Sequence, residues 1–418
     1  MPRPELLGVW LYGRRIAQFT APRPWIIQCA YTDEALETWP ANIPLLSCSL
    51  PLMRKRQDAS VFAAGLLPEG GHRLAVAGSM GVSVTDVRAL LGRLGRDVAG
   101  AAVISAEAPA PRAGRFVPYT AEGLEAEVLA LPDRPLAIYD DSELSIAGLQ
   151  DKLLLVKLED GLWARPVSGL PSTHILKIED RRYPGLIEAE ASCLRLARAV
   201  GLTTVDIVVE TIANIPCLIV SRFDRRQEED GSVSRIHQED ACQALARNPD
   251  ADQGRGRYER AGGPRLVEIA GLLDRHSATP AADLDQLLSL TTFNATIGNA
   301  DAHGRNVSLL HPAPGRITLA PVYDTVPTLL WQNLRAELAM TANGVSSLAA
   351  VKRDDLVAEA ERWHHDRRRS ERVSSDLAER LLAAAASEDL RKDVRDLVRA
   401  RATRFLQGVA LGGGSALA

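Results

Sequence analysis

With 418 residues, 46% hydrophobic and 24% charged, the chain has an ordinary globular composition and is long enough for two or three domains. Its net charge of −4 argues against gripping nucleic acid through overall charge, which leaves only a local basic patch. Five scattered cysteines without a C-x-x-C pair speak against a disulfide framework or zinc site; no apolar run nears the roughly 18 residues of a membrane span, and the N-terminus lacks a signal-peptide core, so the cytoplasm is the expected compartment.

In chain order, residues 6–20 read as a hairpin turning at Tyr12-Gly13, and strand-like, proline-punctuated sequence follows to about residue 52. Helical patterns at 59–67, 72–80 and 83–93 are interrupted by the break Pro68-Glu-Gly-Gly71. A glycine-flanked loop at 94–103 runs into a strand. The shift to Pro, Ala and Gly over 106–118 is the best linker and places a first domain boundary near residue 110, before a helix at 121–130.

Residues 142–152 form a small-residue loop feeding the apolar strand Leu153–Leu158. Such a loop is able to fold its backbone N–H groups over phosphates, and a plain hairpin is the alternative. Lys177 lies between Leu176 and Ile178 on a strand expected to be buried, a place lysine avoids unless it is paired or snorkels at an edge. On the helix at 185–200, Ile187, Ala191, Leu194 and Ala197 make the apolar stripe, and Glu190 falls inside it. A carboxylate there needs a cation, for which Lys177 is the natural candidate, unless that helix edge is solvated. The apolar strand Cys217–Val220 ends at Ser221-Arg222-Phe223. His237–Asp240 is expected to open a helix, and 248–264, rich in Gly, Arg and Asp, reads as a flexible surface loop.

The stretch Asn299–Asn306 follows a helix that closes at Ile297 and precedes a hairpin, 307–310 with 316–319, that delivers Asp324. Asp301 and Asn306 stand five apart, with Asp324 eighteen residues farther on. Phosphoryl transfer asks for such a set: one carboxylate to orient the attacking hydroxyl, and an amide and a second carboxylate to hold magnesium. A turn rich in Asp, Asn and Gly has the same local composition. Residues 345–408 read as charged helices, and 411–418 as a disordered tail. Within them the basic run Trp363–Arg372 admits two readings, a solvated helix face or a contact, centred on Arg367–Arg369, with nucleic acid or an acidic partner.

The ordered set Ser145-Ile-Ala-Gly-Leu-Gln-Asp-Lys152, Ile175-Leu-Lys177, Glu188-Ala-Glu190, Arg222-Phe-Asp-Arg225, Gln238-Glu-Asp240, Asp301-Ala-His-Gly-Arg-Asn306 and Tyr323-Asp324 closely resembles the HipA family, the serine/threonine kinase toxins of bacterial type II toxin–antitoxin pairs. Leu66-Leu-Pro-Glu-Gly70 and Gly95-Arg-Asp-Val-Ala-Gly100 look like that family's N-terminal subdomain. The resemblance implies an α+β, bilobal, protein-kinase-like fold: an N-terminal α/β subdomain at 1–110, a kinase N-lobe with phosphate loop and hinge at 111–225, and a mostly helical C-lobe with the catalytic and metal loops at 226–410. It implies ATP and Mg2+ as cofactors, Asp301 as the catalytic aspartate, Asn306 and Asp324 on magnesium, and Lys177 on the phosphates and paired with Glu190. Ala147, Gly148, Leu149, Gln150, Asp151 and Lys152 would cover the phosphates, and Ser221, Arg222 and Phe223 would be the adenine hinge. His303, Gly304, Arg305 and Tyr323 would complete the nucleotide site.

Ser145 matches the serine on which such kinases phosphorylate themselves in trans, a change that adds about −1.5 to −2 of charge beside the nucleotide phosphates. The implied partners are a small helix-turn-helix antitoxin (HipB-like), operator DNA through that antitoxin, and a protein substrate from translation, an aminoacyl-tRNA synthetase being the expected class. Arg305 stands where the family more often has lysine, and the last eighty residues match no motif. A catalytically weak corepressor on the same fold, and a kinase for small molecules or lipids, are the competing readings. The complete set of acid, amide and lysine weighs against the first, and Ser145 against the second.

Overall fold

The computed structural model describes residues 6–109, 115–132, 151–167 and 169–413, and it divides into two compact units. The first gathers the chain up to Asp180 with Val208–Glu239 and Leu310–Arg316; the second comprises Arg181–Ile207, Asp240–Leu309 and the chain from Ile317 on.

The first unit contains two sheets. One has five antiparallel strands in the order β4-β3-β2-β1-β5, formed by β1 (Leu7–Leu11), β2 (Arg14–Arg23), β3 (Ile26–Tyr31), β4 (Gln57–Asp58) and β5 (Ala102–Ser105). The expected hairpin turns where Tyr12 and Gly13 take φ of 51° and 79°, the left-handed pair that matches the twist of its strands. Alternate residues Leu7, Val9 and Leu11, and Ile27, Cys29 and Tyr31, face one core with Val87, Leu90, Leu91 and Leu94 of the helix Val87–Leu94. The second sheet has six strands in the order β10-β11-β9-β7-β8-β6, from β6 (Arg115–Pro118), β7 (Lys152–Lys157), β8 (Trp163–Val167), β9 (His174–Ile178), β10 (Ile207–Ile212) and β11 (Ile215–Ser221). Leu124, Val128 and Leu131 close its core over Leu153, Leu155, Leu176 and Ile219. The linker boundary expected near 110 lies outside the described residues.

A buried ion network ties the loop before β5 to the end of β11. Asp97 accepts from Arg225 at 2.7 Å and from the Ser172 N–H and hydroxyl at 2.9 and 2.8 Å, while Arg222 forks onto Asp224 at 2.9 and 2.8 Å. Gly100 N–H donates to Asp224 at 2.7 Å. Three guanidiniums, Arg222, Arg225 and Arg235, thus surround two carboxylates.

The second unit is mostly helical. Helices Leu186–Ala199, Leu266–His276 and Pro280–Ile297 are joined by three more at the C-terminus, Arg353–Glu361, Arg367–Ser387 and Lys392–Leu406, in the region read as charged helices. The sequence assigned Leu186–Ala199 to the N-lobe, but it groups here with the C-terminal helices: Arg391 donates to Gly185 O at 2.5 Å, its N–H meets Ser192 Oγ at 3.1 Å, and Arg380 donates to Val200 O at 2.8 Å. Arg401, fully buried, gives its guanidinium to the carbonyls of Ala295 at 2.6 Å, Thr296 at 3.2 Å, Leu348 at 2.9 Å and Gly412. Two of those bonds go to carbonyls of the last turn of Pro280–Ile297, where helical partners run out.

Two expectations are corrected here. The tail expected to be disordered from 411 is ordered at 411 and 412, where Leu411 is buried and the N–H groups of Leu411 and Gly412 bond to Val351 O and Ala349 O at 3.0 and 2.9 Å. His237–Asp240 is a strand, and only Asp240, capping Gln243 N–H at 2.8 Å, starts a short helix.

Candidate active site

The helix Pro280–Ile297 stops at Gly298, whose φ of 75° and whose lack of a Cβ, which would meet Leu329 at 2.8 Å, both require glycine. Thr328 Oγ1 donates to Gly298 O at 3.1 Å and accepts the Ala300 N–H at 2.7 Å. Asn299 is buried: its amide donates to Asn294 at 2.9 Å and accepts the Asp301 N–H at 2.8 Å. From the other side Asn306 Nδ2 and His303 N–H both donate to Asp301 O at 2.8 Å. The loop backbone around Asp301 is therefore fixed twice over, yet the Asp301 side chain is 50% exposed.

His303 is a buried part of this scaffold. Its Nδ1 accepts the Arg305 N–H at 3.3 Å and its Nε2 lies 3.7 Å from Asp301 Oδ1. Arg305 pairs with Asp240, Nε to Oδ2 at 3.2 Å, so this guanidinium is held by a carboxylate of the Gln238–Asp240 motif. Ala241 N–H, next to Asp240, reaches Gly304 O and Val307 O at 3.0 and 2.9 Å. Tyr323 donates to Arg305 O at 2.7 Å and meets Ser308 Oγ at 2.6 Å; burial pushes its phenol above the usual range. Asp324 follows with φ of 48°, left-handed backbone that costs a non-glycine residue of order 1 kcal/mol.

The residues expected to hold phosphates lie in the first unit. Lys152 and Lys177 are directly opposed on β7 and β9 and share one face of the sheet, and both are largely buried, at 5% and 7% exposure. Two ammonium groups in that relation concentrate positive charge at one spot. Asp151 accepts from His72 at 3.0 Å, and Ser221 ends β11 opposite His174. Of the expected hinge residues, Arg222 belongs to the ion network and its N–H is taken by Thr173 O at 2.8 Å. Ser145, Ala147, Gly148, Leu149 and Gln150 lie outside the described residues. The expected Lys177–Glu190 pair draws one buried residue from each unit.

Among the described residues no three His, Cys, Asp or Glu side chains group as metal ligands. The Asn306 amide and Asp324 carboxylate are hard oxygen donors, the set that suits a magnesium ion completing its shell with phosphate oxygens and water.

One participant was not legible in the sequence. The stretch 248–264, read as a flexible surface loop, packs against the loop Asn299–Asn306: Gly304 N–H donates to Arg257 O at 3.1 Å, and a Cβ on Gly304 would strike Pro264 at 2.5 Å. Tyr258 donates its hydroxyl to Asp301 Oδ1, and its ring stands edge-on to His303 at 5.1 Å. The guanidiniums of Arg335 and Arg257 lie 4.8 and 5.6 Å from its ring centre. The signal was the run Arg257-Tyr258 before Gly262-Gly263-Pro264, an aromatic residue in a stretch too glycine-rich to be a helix and too close-packed to be a free loop.

In the C-terminal basic run, Arg369 forks onto Asp285 at 2.8 and 2.6 Å, where His365 also bonds at 2.8 Å, and Arg367 meets Glu361 and Glu371 at 3.0 and 3.2 Å. Arg368 is exposed. Among the described residues no helix is long and apolar enough to cross a membrane.

Residues 7–105 match the HipA N-terminal domain and residues 144–388 the HipA-like C-terminal domain. The chain is 41% identical to the kinase-designated protein Y4mE of Sinorhizobium fredii, over 84% of each chain. It is 31% identical to the serine/threonine-protein kinase toxin HipA of Shewanella oneidensis, over 71% of this chain and 69% of that one. A solved structure from Shewanella oneidensis, of the toxin–antitoxin system HipA, HipB and its operator DNA complex, matches with a TM-score of 0.78 at 26% identity, covering 98% of this chain and 99% of the other.

Proposed function

The chain belongs to the HipA family of kinase toxins, and on that premise we propose that it transfers the γ-phosphate of ATP to a serine or threonine of a translation component, and to its own Ser145. An aminoacyl-tRNA synthetase is the expected class of target. The observation that carries this reading is the Asp301 carboxylate, half in solvent on a loop whose backbone is fixed by the buried Asn299 and by Asn306.

In this reading Asp301 accepts the hydrogen bond of the acceptor hydroxyl and takes its proton as the oxygen bonds to the γ-phosphorus and the β–γ bridging oxygen leaves with ADP. The opposed lysines 152 and 177 draw the α and β phosphates, with Glu190 as counter-charge to Lys177. Magnesium, held by Asn306 and Asp324, would neutralise charge on the phosphates. Ser221 and Phe223 offer backbone groups to adenine, His303 and Tyr323 shape the catalytic loop from behind, and Arg305 acts through Asp240.

Partners follow from the Shewanella complex: a HipB-like helix-turn-helix antitoxin, and operator DNA reached through it. A target in translation places the protein in the cytoplasm.

The test is incubation of wild type, Asp301→Asn and Asp324→Asn with γ-labelled ATP and Mg2+, phosphopeptide mapping, and growth of cells producing wild type or Asp301→Asn with and without the antitoxin. Loss of transfer in both variants and of toxicity in Asp301→Asn is expected. Undiminished transfer by Asp301→Asn sinks the site assignment, and nucleotide binding without any transfer by wild type favours the corepressor.

A further inference from the structure

We propose that Tyr258 is a positioning residue for phosphoryl transfer, its phenol donating to Oδ1 of Asp301 and thereby turning Oδ2 toward the acceptor hydroxyl. The inference rests on Asp301 being the group that meets the acceptor. Asn299 and Asn306 fix the backbone of Asp301 but not its two side-chain torsions, and a half-exposed carboxylate in water samples several rotamers. One fixed donor on one oxygen removes that freedom and leaves the other oxygen with a defined direction, which is what an in-line transfer needs.

The donor is itself held. A Cβ on Gly256 would strike Asn248 O at 2.2 Å and one on Gly263 would strike the Arg257 backbone at 2.6 Å, so 256–264 is packed to backbone contact. The Glu259 carboxylate accepts the Thr341 N–H at 2.6 Å and hydroxyl at 3.1 Å, fastening the residue after Tyr258. His303 braces one edge of the ring, and Arg335 and Arg257 lie over it.

The residue type fits the task. A lysine or arginine at this point would pair with Asp301 and neutralise the charge that the acceptor proton must meet, whereas a phenol donates one hydrogen bond and carries no charge. Burial, reinforced by the Asp301 charge, raises the Tyr258 phenol above its ordinary range, so it remains a donor throughout the physiological pH range.

Tyr258→Phe keeps the ring with its contacts to His303, Arg257 and Arg335 and removes only the donor. Full-length wild type, Tyr258→Phe and Asp301→Asn are compared for transfer from γ-labelled ATP to the chain itself and to casein, together with ATP affinity and melting temperature. The expected result for Tyr258→Phe is a kcat lowered about 10- to 100-fold with the KM for ATP held within about twofold and an unchanged melting temperature.

A kcat within about twofold of wild type overturns the proposal, as does a fall matched by lost ATP affinity, which marks a structural role. A rise in kcat also overturns it and makes the phenol an occupant of the acceptor's seat. If Asp301→Asn transfers at the wild-type rate the functional reading fails; if it is inactive while Tyr258→Phe is fully active, only the positioning role does.

Discussion

Asp97 and Asp224 sit fully buried among Arg222, Arg225 and Arg235 in the first unit, whereas in the second Asp301 stands half in solvent beside a phenol that carries no charge. Burial alone would raise the carboxyls of Asp97 and Asp224. The guanidiniums outweigh it and hold both below the usual carboxylate range. In that network both carboxylates are answered within the protein, so it holds the loop before β5 to the end of β11. Around Asp301 the surrounding bonds fix the backbone and one carboxylate oxygen, and the charge stays available. A charged residue is thus read by who answers its charge: the guanidinium of Arg222, expected at a nucleotide hinge, is answered by Asp224.

The contrast breaks most sharply at Asp301. Asp301→Asn is expected to lower kcat by about a hundred- to ten-thousandfold with the melting temperature unchanged, because a half-exposed carboxylate adds little to folding. Asp97→Ala is expected to do the reverse, costing about 3–5 kcal/mol in a urea titration by stranding buried guanidiniums.

A pH titration of stability sharpens the first unit further. His237, with Nε2 donating to Leu46 O at 2.7 Å, is pushed down to about 4 by burial and then by neighbouring His311, with Glu239 opposing. The unfolded chain takes up that proton near pH 6.5 and the folded one does not. The stability contribution is full above pH 6.5 and is lost as pH falls toward 4, by about 3 kcal/mol, and His237→Gln should flatten the profile. Asp97 and Asp224 add to that slope only at its acid end, since lowered carboxyls lose their stabilisation as pH falls through the ordinary carboxylate range toward their folded values.

The smallest effect is expected at Arg367, whose partners Glu361 and Glu371 are exposed to similar degrees: Arg367→Ala should shift stability by less than about 1 kcal/mol. A measurable loss of operator affinity in the same variant, assayed with the antitoxin, would instead mark a direct DNA contact.

Much of the α+β fold was legible because its signals are local. The hairpin at Tyr12-Gly13, the helix Leu186–Ala199 with Glu190 among its buried residues, and the order of acid and amide between Asp301 and Asn306 all follow from residues within one element or turn. What was not legible is closed by contacts between distant segments. Tyr258 lies 43 residues from Asp301, and Asp97 lies 128 from Arg225, so two motifs quoted separately proved to be halves of one network. Arg401 is the extreme case. In sequence it is one charge in Arg399-Ala-Arg401-Ala-Thr-Arg404, a pattern that reads as a solvated face, and only carbonyls from distant segments, Ala295, Thr296 and Leu348 among them, account for its burial.

Arg401 and Arg391 also bear on where loss of function can arise. Both lie beyond residue 388, where the match to the HipA-like C-terminal domain ends, yet one closes the helix that carries the chain into Asn299–Asn306 and the other pins the helix bearing Glu190. Premature stop codons between codons 391 and 412 should therefore abolish activity as surely as lesions in the catalytic loop. Among survivors of a selection against the overproduced protein, truncations should be found up to the last few codons, and a truncation after residue 388 that remained fully active would refute that dependence.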